Sequence, residues 1–450
     1  FLLDLTIEQA GLPALDEANL PRWRTACLAR LLVTEAQAVA PALIPEDHEL
    51  LVSGAQRSLA RRLLADWADS IRLSKGLPEA ILEADQVAGL GAIVAGEVGL
   101  EGPFLSHAAE QTVFAALCSR LAALSGQALL EELAGLEPEL ERHAHGFWGF
   151  GSQHPKAIPW LELERLSRAA RLLLEASVTQ PWSSPEEAIG WYTSDGWRAD
   201  RAGEEILRNL DKPAPALLSV ITPLRAAYRA RWEQAMIEWS RVWTEGGCAV
   251  PDLPSAGEWL LDQFEKTRPT AILVLDALRY DLGCALADRI NHQEGTSRAK
   301  VSSAHTALPS NTPLGMALAL PILEARLEAD LVGGNWQVRD KEGAANLSTA
   351  AARRAWWREQ EGVTAEALLE MGAVLNAEIP APGKGRTRLV VHDAAIDTLG
   401  HDDQLEAQGT SAVLDRYLAA VERLRTAGWL RILVVTDHGY IHWPASEEKN

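Results

Sequence analysis

Three apolar runs, TAILVLD at residues 270–276, RLVVHD at 388–393 and RILVVTD at 431–437, each stop on an aspartate. Runs of this length, rich in Val, Ile and Leu and without polar alternation, fit strands buried on both faces. Long helical stretches separate them, which predicts an open, mostly parallel α/β sheet flanked by helices. Open α/β sheets bind ligands beyond the carboxyl ends of their strands. Asp276, Asp393 and Asp437 are therefore expected along one edge, although Asp393 need not be the working acid of its strand.

Upstream of this sheet, from Phe1 to Phe264, Ala, Leu, Glu and Arg recur at helical spacing, as in RRLLADWADSIRL and ERLSRAARLLLEAS. An all-helical N-terminal region is expected. Its pattern breaks at HAHGFWGFGSQHPKAIPW, near residues 145–160, and again at GGCAVPDLPSAGEW, residues 246–259. A chain of 450 residues exceeds one ordinary core. The breaks divide it into a helical domain over 1–150, a second helical domain or linker region over 151–265, and the α/β domain over 266–450.

Charge narrows the function. With a formal net charge of −20, the surface as a whole repels phosphate backbones, so a nucleic-acid partner needs a local cationic groove or bound metal ions. The basic tract IPAPGKGRTR, residues 379–388, reads as a solvated loop that could touch phosphate. Four cysteines far apart, with no CxxC pair, argue against a disulfide framework or a zinc ribbon and fit a reducing cytoplasm. No apolar run reaches the roughly 20 residues a spanning helix needs. The chain begins at Phe1 and not at methionine, so the natural N-terminus is expected upstream. Most of the sixteen tryptophans lie in the helical region, where they read as core packing.

Four segments offer chemistry, and each has a plainer reading. In DTLGHD, Asp397 and His401 are four apart, hence on one side of a helical turn, or simply a surface acid and histidine. In TDHG, Asp437 and His438 follow a strand, where alternating side chains could serve two neighbouring ions, or the acid could cap a turn. Asp276 follows five apolar residues and is costly to bury unless a metal or Arg279 partners it. In ALPSNTPLGMALALP, residues 307–321, Thr312 sits near a helix N-terminus that favours an anion, or is itself the N-cap before Pro313. His305 and His392 read as core or hydrogen-bonded residues.

Taken together, DALR at 276, PSNTPLGM around Thr312, DTLGH at 397–401 and TDHG at 436–439 resemble the alkaline phosphatase superfamily. Within it, LDALRYD, LPSNTPLGMALALP and HDAAIDTLGH are most similar to the PglZ family of BREX-type bacterial phage-defence systems. The resemblance covers about residues 268–450, and such proteins often carry helical extensions. It implies an alkaline-phosphatase-like domain with two divalent ions, zinc or alternatively manganese. Asp276, Asp437 and His438 would hold one ion, Asp397 and His401 the other, and Thr312 would be the nucleophile, reaching toward both. Asn311 and Arg279 are lesser candidates for contact with phosphoryl oxygens. The family's last ligand, a histidine well downstream of DHG, has no match before Asn450. His442, only four residues past His438, does not sit where the pattern puts it, so the chain is expected to end inside its catalytic domain. Thr312 is followed by Pro313 and not by an arginine, which resembles the diesterase-like branch. The implied activity is a cytoplasmic phosphodiesterase or phosphatase acting on nucleotides or nucleic acid, beside a methyltransferase, an ATPase and small accessory proteins. The alternative is a phosphatase-like scaffold that gathers those proteins with little catalysis.

Overall fold

Local cap chemistry starts the helices of the first part of the chain. Asn19 accepts from the Arg22 N–H, with Pro21 next to it, and opens the helix Leu20–Val39. Ser106 does the same for His107–Ala122 through the Ala109 N–H. The computed structural model describes residues 2–440 except 71–73, 96–101, 150–154, 177, 179–180, 209–214, 251, 265–267, 295–297, 344–345 and 402–404. His442 lies outside the described residues. Two compact units emerge, one of residues 1–177 with 202–233 and the other of 178–201 with 234–450.

In the first unit the described regular elements are all helical. Leu20–Val39 packs on Leu77–Ala88, and Gly126–Gly135 and Glu137–Ala144 both pack on Trp160–Glu175. Helices on either side of residues 145–160 thus pack together within the first unit. Phe114, Trp148 and Trp160 are fully buried there, as expected of core tryptophans. Within this core Glu110 and His143 form a buried pair at 2.6 Å.

The second unit is built on a four-stranded, wholly parallel sheet of order β4-β5-β1-β6. Its strands are β1 (Thr270–Leu275), β4 (Leu368–Glu370), β5 (Arg388–Asp393) and β6 (Arg431–Thr436). The three apolar runs are β1, β5 and β6, and every residue of β1 is buried. A separate antiparallel hairpin joins β2 (Leu327–Val332) to β3 (Asn335–Asp340) through Gly333 and Gly334, both at positive φ as a tight hairpin turn requires. Helices flank the sheet; among them Tyr280–Glu294 packs on Leu405–Thr426, and Ala256–Asp262 lies against β6. This is the expected alkaline-phosphatase-like α/β class preceded by a helical region.

Register fixes the acid edge. Leu275 stands level with Asp393 and with Thr436, so Asp276 and Asp437 each lie one residue past the same row. The basic tract precedes β5 and therefore lies at the opposite edge, where Arg386 bonds Thr364 and Ala381 and Arg388 covers the Phe264 ring. All four cysteines are free. Among the described residues no helix is long and apolar enough to cross a membrane.

Candidate functional site

Immediately after β1 the chain turns sharply, because Ala277 adopts a left-handed backbone (φ 60). The turn aims two successive N–H groups across the sheet. Ala277 donates to Asp437 Oδ1 at 3.1 Å and Leu278 to Thr436 Oγ1 at 3.1 Å. Asp276 and Asp437 are thereby held together while 7% and 1% exposed. β6 ends at Thr436, so Asp437 and His438 escape strand alternation and both face Asp276. The expectation that adjacent side chains diverge toward two ions gives way to convergence on one point.

His438 completes the group. Its Nδ1–H donates to the Gly439 carbonyl at 2.8 Å, since a carbonyl can only accept. In the neutral ring Nε2 then carries a lone pair, and it lies 3.5 Å from Asp276 Oδ1 and 3.3 Å from Asp437 Oδ2. Donor atoms of the three residues lie within 4.8 Å of one another, and among the described residues no other group of three metal-capable side chains does so. Among the described residues, Asp276 Oδ1 and Asp437 Oδ2 are buried and have no hydrogen-bond partner. Three electron-rich atoms crowded around one point, two of them orphaned, fit a divalent cation.

The electrostatics agree. Burial, followed by the charges of Asp437 and Asp397, raises the Asp276 pKa to about 7. Burial likewise raises that of Asp437. Without a cation, burial favours the protonated form of each carboxyl; a bound cation would favour the ionised forms.

Thr312 reaches the same point from the helix Thr312–Leu318. The cap is Asn311, whose Oδ1 accepts from the Leu314 N–H at 3.1 Å, so the reading of Thr312 as N-cap is corrected. Thr312 is the first helical residue, and its Oγ1 is left to meet His438 Nε2 at 3.1 Å. Gly315 permits this approach: a Cβ there would stand 2.4 Å from the Asp437 carbonyl oxygen. Thr306 Oγ1 donates to that same carbonyl.

Asp397 and His401 pair with each other on the helix Ala395–His401, at 3.5 Å, with side chains 26% and 79% exposed. Asp397 is near enough for its charge to act on Asp276. Asp393 instead bonds the Tyr417 hydroxyl at 2.9 Å. Arg279 does not partner Asp276; its guanidinium donates two bonds to Asp281, at 2.9 and 3.0 Å. His305 pairs with Glu324 at 3.1 Å.

One group near this edge escapes the sequence patterns. Arg353 is buried on the helix Ala350–Arg358, donates to the Leu347 and Ser348 carbonyls, and makes no ion pair among the described residues. Burial lowers its pKa, and the charges of Asp437 and Asp276 act against that fall. Its only sequence signal is a charge on the face that also carries the buried Trp356 and Trp357. His392 has a buried Nε2 with no partner among the described residues, and burial with the Arg354 and Arg353 charges pushes its pKa down to about 4.

Against known proteins, residues 258–449 match the family model PglZ, described as the BREX system PglZ alkaline phosphatase-like domain. No curated protein and no solved structure matches the chain.

Proposed function

We infer, from the match of residues 258–449 to the PglZ alkaline phosphatase-like family model, that the chain is a metal-dependent phosphoesterase of a BREX-type phage-defence system. The observation that carries this reading is the Thr312 hydroxyl 3.1 Å from His438 Nε2, at the point where Asp276 and Asp437 also converge. Asp276, Asp437 and His438 would hold one divalent ion, and Asp397 with His401 would contribute to a second, as zinc or manganese. Such ions, when bound, supply positive charge to phosphoryl oxygens and lower the pKa of a neighbouring hydroxyl.

The chain's own part is nucleophile, orientation and charge. Thr312 Oγ1 attacks phosphorus, its O–P bond forming as the ester P–O bond breaks, and water later cleaves the phospho-threonine. Asn311 sets the direction of Thr312 by capping the helix through Oδ1, and its Nδ2 amide would donate to a phosphoryl oxygen. Arg353, buried and without a carboxylate partner among the described residues, would supply fixed positive charge toward the acid edge, where phosphoryl charge would gather. Pro313 directly after Thr312, in place of an arginine, resembles the diesterase-like branch, so nucleotides or nucleic acid are the proposed substrate class. The proposed setting is the cytoplasm, beside a methyltransferase, an ATPase and accessory defence proteins.

The test is hydrolysis of bis(p-nitrophenyl) phosphate and of p-nitrophenyl phosphate by the full chain with zinc or manganese. Thr312→Ala is expected to lower diester turnover by about a thousand-fold or more with its far-UV circular dichroism unchanged. Undiminished turnover in that variant removes Thr312 as nucleophile. Metal binding without hydrolysis of either ester favours a scaffold that gathers other defence proteins.

A further inference from the structure

Arg279 links the two loops that carry the three converging side chains, and this inference rests on reading them as a metal site. The loop after β1 runs from Asp276 to Arg279 and leads into the helix Tyr280–Glu294, which carries Asp281, and the loop after β6 includes Asp437 to Tyr440. Arg279 is 6% exposed and Asp281 fully buried, and the two-bond fork between them fixes the guanidinium plane. Three features of the second loop rest on that fixed side chain. A Cβ at Gly439 would stand 3.2 Å from Arg279 Cγ, so the backbone there lies against the arginine stem. The Tyr440 ring lies over the guanidinium, 4.6 Å from ring centroid to Cζ. The Gly439 carbonyl, held in this way, accepts from His438 Nδ1 at 2.8 Å.

The first loop is braced as well. Tyr280 packs on Tyr192 with ring centroids 5.8 Å apart, and the Tyr192 hydroxyl donates to Asp200 at 2.5 Å. The carboxylates of Asp281 and Asp200 keep Arg279 charged despite its burial. Replacing a buried ion pair with apolar residues is often neutral or stabilising, so stability alone gives little reason for this one. A planar fork, however, allows one pose where a flexible apolar chain allows several.

We propose that Arg279 is a positioning residue: clamped by Asp281, it seats Gly439 and Tyr440 so that the Gly439 carbonyl orients His438 with Nε2 toward Asp276, Asp437 and Thr312. The route runs from guanidinium to backbone carbonyl to imidazole. Outer partners of this kind typically change metal affinity about 10–100-fold when lost.

Cobalt(II) titration of the metal-free full chain tests this, read as the dissociation constant and as the visible d–d spectrum. The double variant Arg279→Met with Asp281→Leu removes the clamp without leaving a buried charge. It is expected to bind cobalt about 10–100-fold more weakly, with an altered spectrum and an unreduced metal-free melting temperature. Arg279→Lys keeps a charge but no fork and should fall between it and the wild type. Tyr440→Leu, outside the ion pair, should weaken binding several-fold and serves if the double variant does not fold. Wild-type affinity and spectrum in the folded clamp variants, with binding lost in Asp276→Asn, overturn the clamp and leave the metal site standing. Wild-type binding in Asp276→Asn overturns both.

Discussion

Asp276 shows how one residue can weigh against folding until its partner arrives. Its pKa of about 7 in the folded, metal-free chain lies above the roughly 3.9 of an unfolded aspartate. The folded state therefore binds more protons between those values. The group's contribution to stability is greatest below about pH 4 and is lost as pH rises through 7. Asp276→Asn imitates the protonated form, so at pH 8 the metal-free variant should melt higher than the wild type, with the gap closing by pH 5. Zinc should reverse the order at pH 8, since an ion bound only to the folded state at a hundred times its Kd adds about 2.7 kcal/mol. Thermal melts with chelator and with zinc at the two pH values measure this, and parallel pH slopes in both proteins would remove Asp276 from the site. Asp276, Thr312, Asp437 and His438 were legible in the sequence because each sits where an apolar run or a turn stops, and the local pattern changes there. Arg353 was not, because Arg353, Arg354 and Arg358 share one short helix and only packing decides which turns inward.

At the scale of elements, the helix Thr312–Leu318 and the turn after β6 are in van der Waals contact, and Gly315 is what lets them meet. An alanine there would put its Cβ 2.4 Å from the Asp437 carbonyl oxygen, 2.9 Å from its carbon and 3.0 Å from its Cβ. Backbone cannot yield as a long side chain does, so the helix must move. Gly315→Ala is expected to cost about 1–3 kcal/mol of stability by overpacking. It should also carry Thr312 away from His438 and reduce turnover about a hundred-fold, a misplacement near 1 Å being enough. Denaturant melts and diester kinetics on one preparation check both; full activity in the folded variant would show that the 3.1 Å approach is not required. The strands of the second unit divide by legibility for a physical reason. β1, β5 and β6 are continuous apolar runs, whereas β4 has three residues and β2 is exposed along nearly all its length, leaving no burial pattern to read. The Gly333–Gly334 turn was the one local mark of the hairpin.

For the whole molecule, the net charge of −20 makes a prediction whose sign separates two kinds of nucleic-acid enzyme. A protein that holds DNA through six to ten lysine or arginine contacts loses about 10³–10⁵ in affinity between 50 and 200 mM salt, because counterions compete for the phosphates. This chain should behave in the opposite way. The basic tract at 379–388 lies at the sheet edge away from the acids, and Arg353 and Arg279 are buried cations, the latter paired with Asp281. What an approaching polyanion meets at long range is therefore net negative charge, screened over about 10 Å at 0.1 M salt and about 3 Å at 1 M. The kcat/KM for a short single-stranded oligonucleotide should rise as sodium chloride goes from 20 to about 300 mM. That for a small diester with one charge should change far less, since it meets the same field with a fraction of the repulsion. Both are measured at saturating metal, so that salt acts on substrate encounter and not on site occupancy. A steep fall with salt for the oligonucleotide alone would instead reveal a cationic track on the surface, and would replace repulsion with local steering as the feature that governs which nucleic acids reach Thr312.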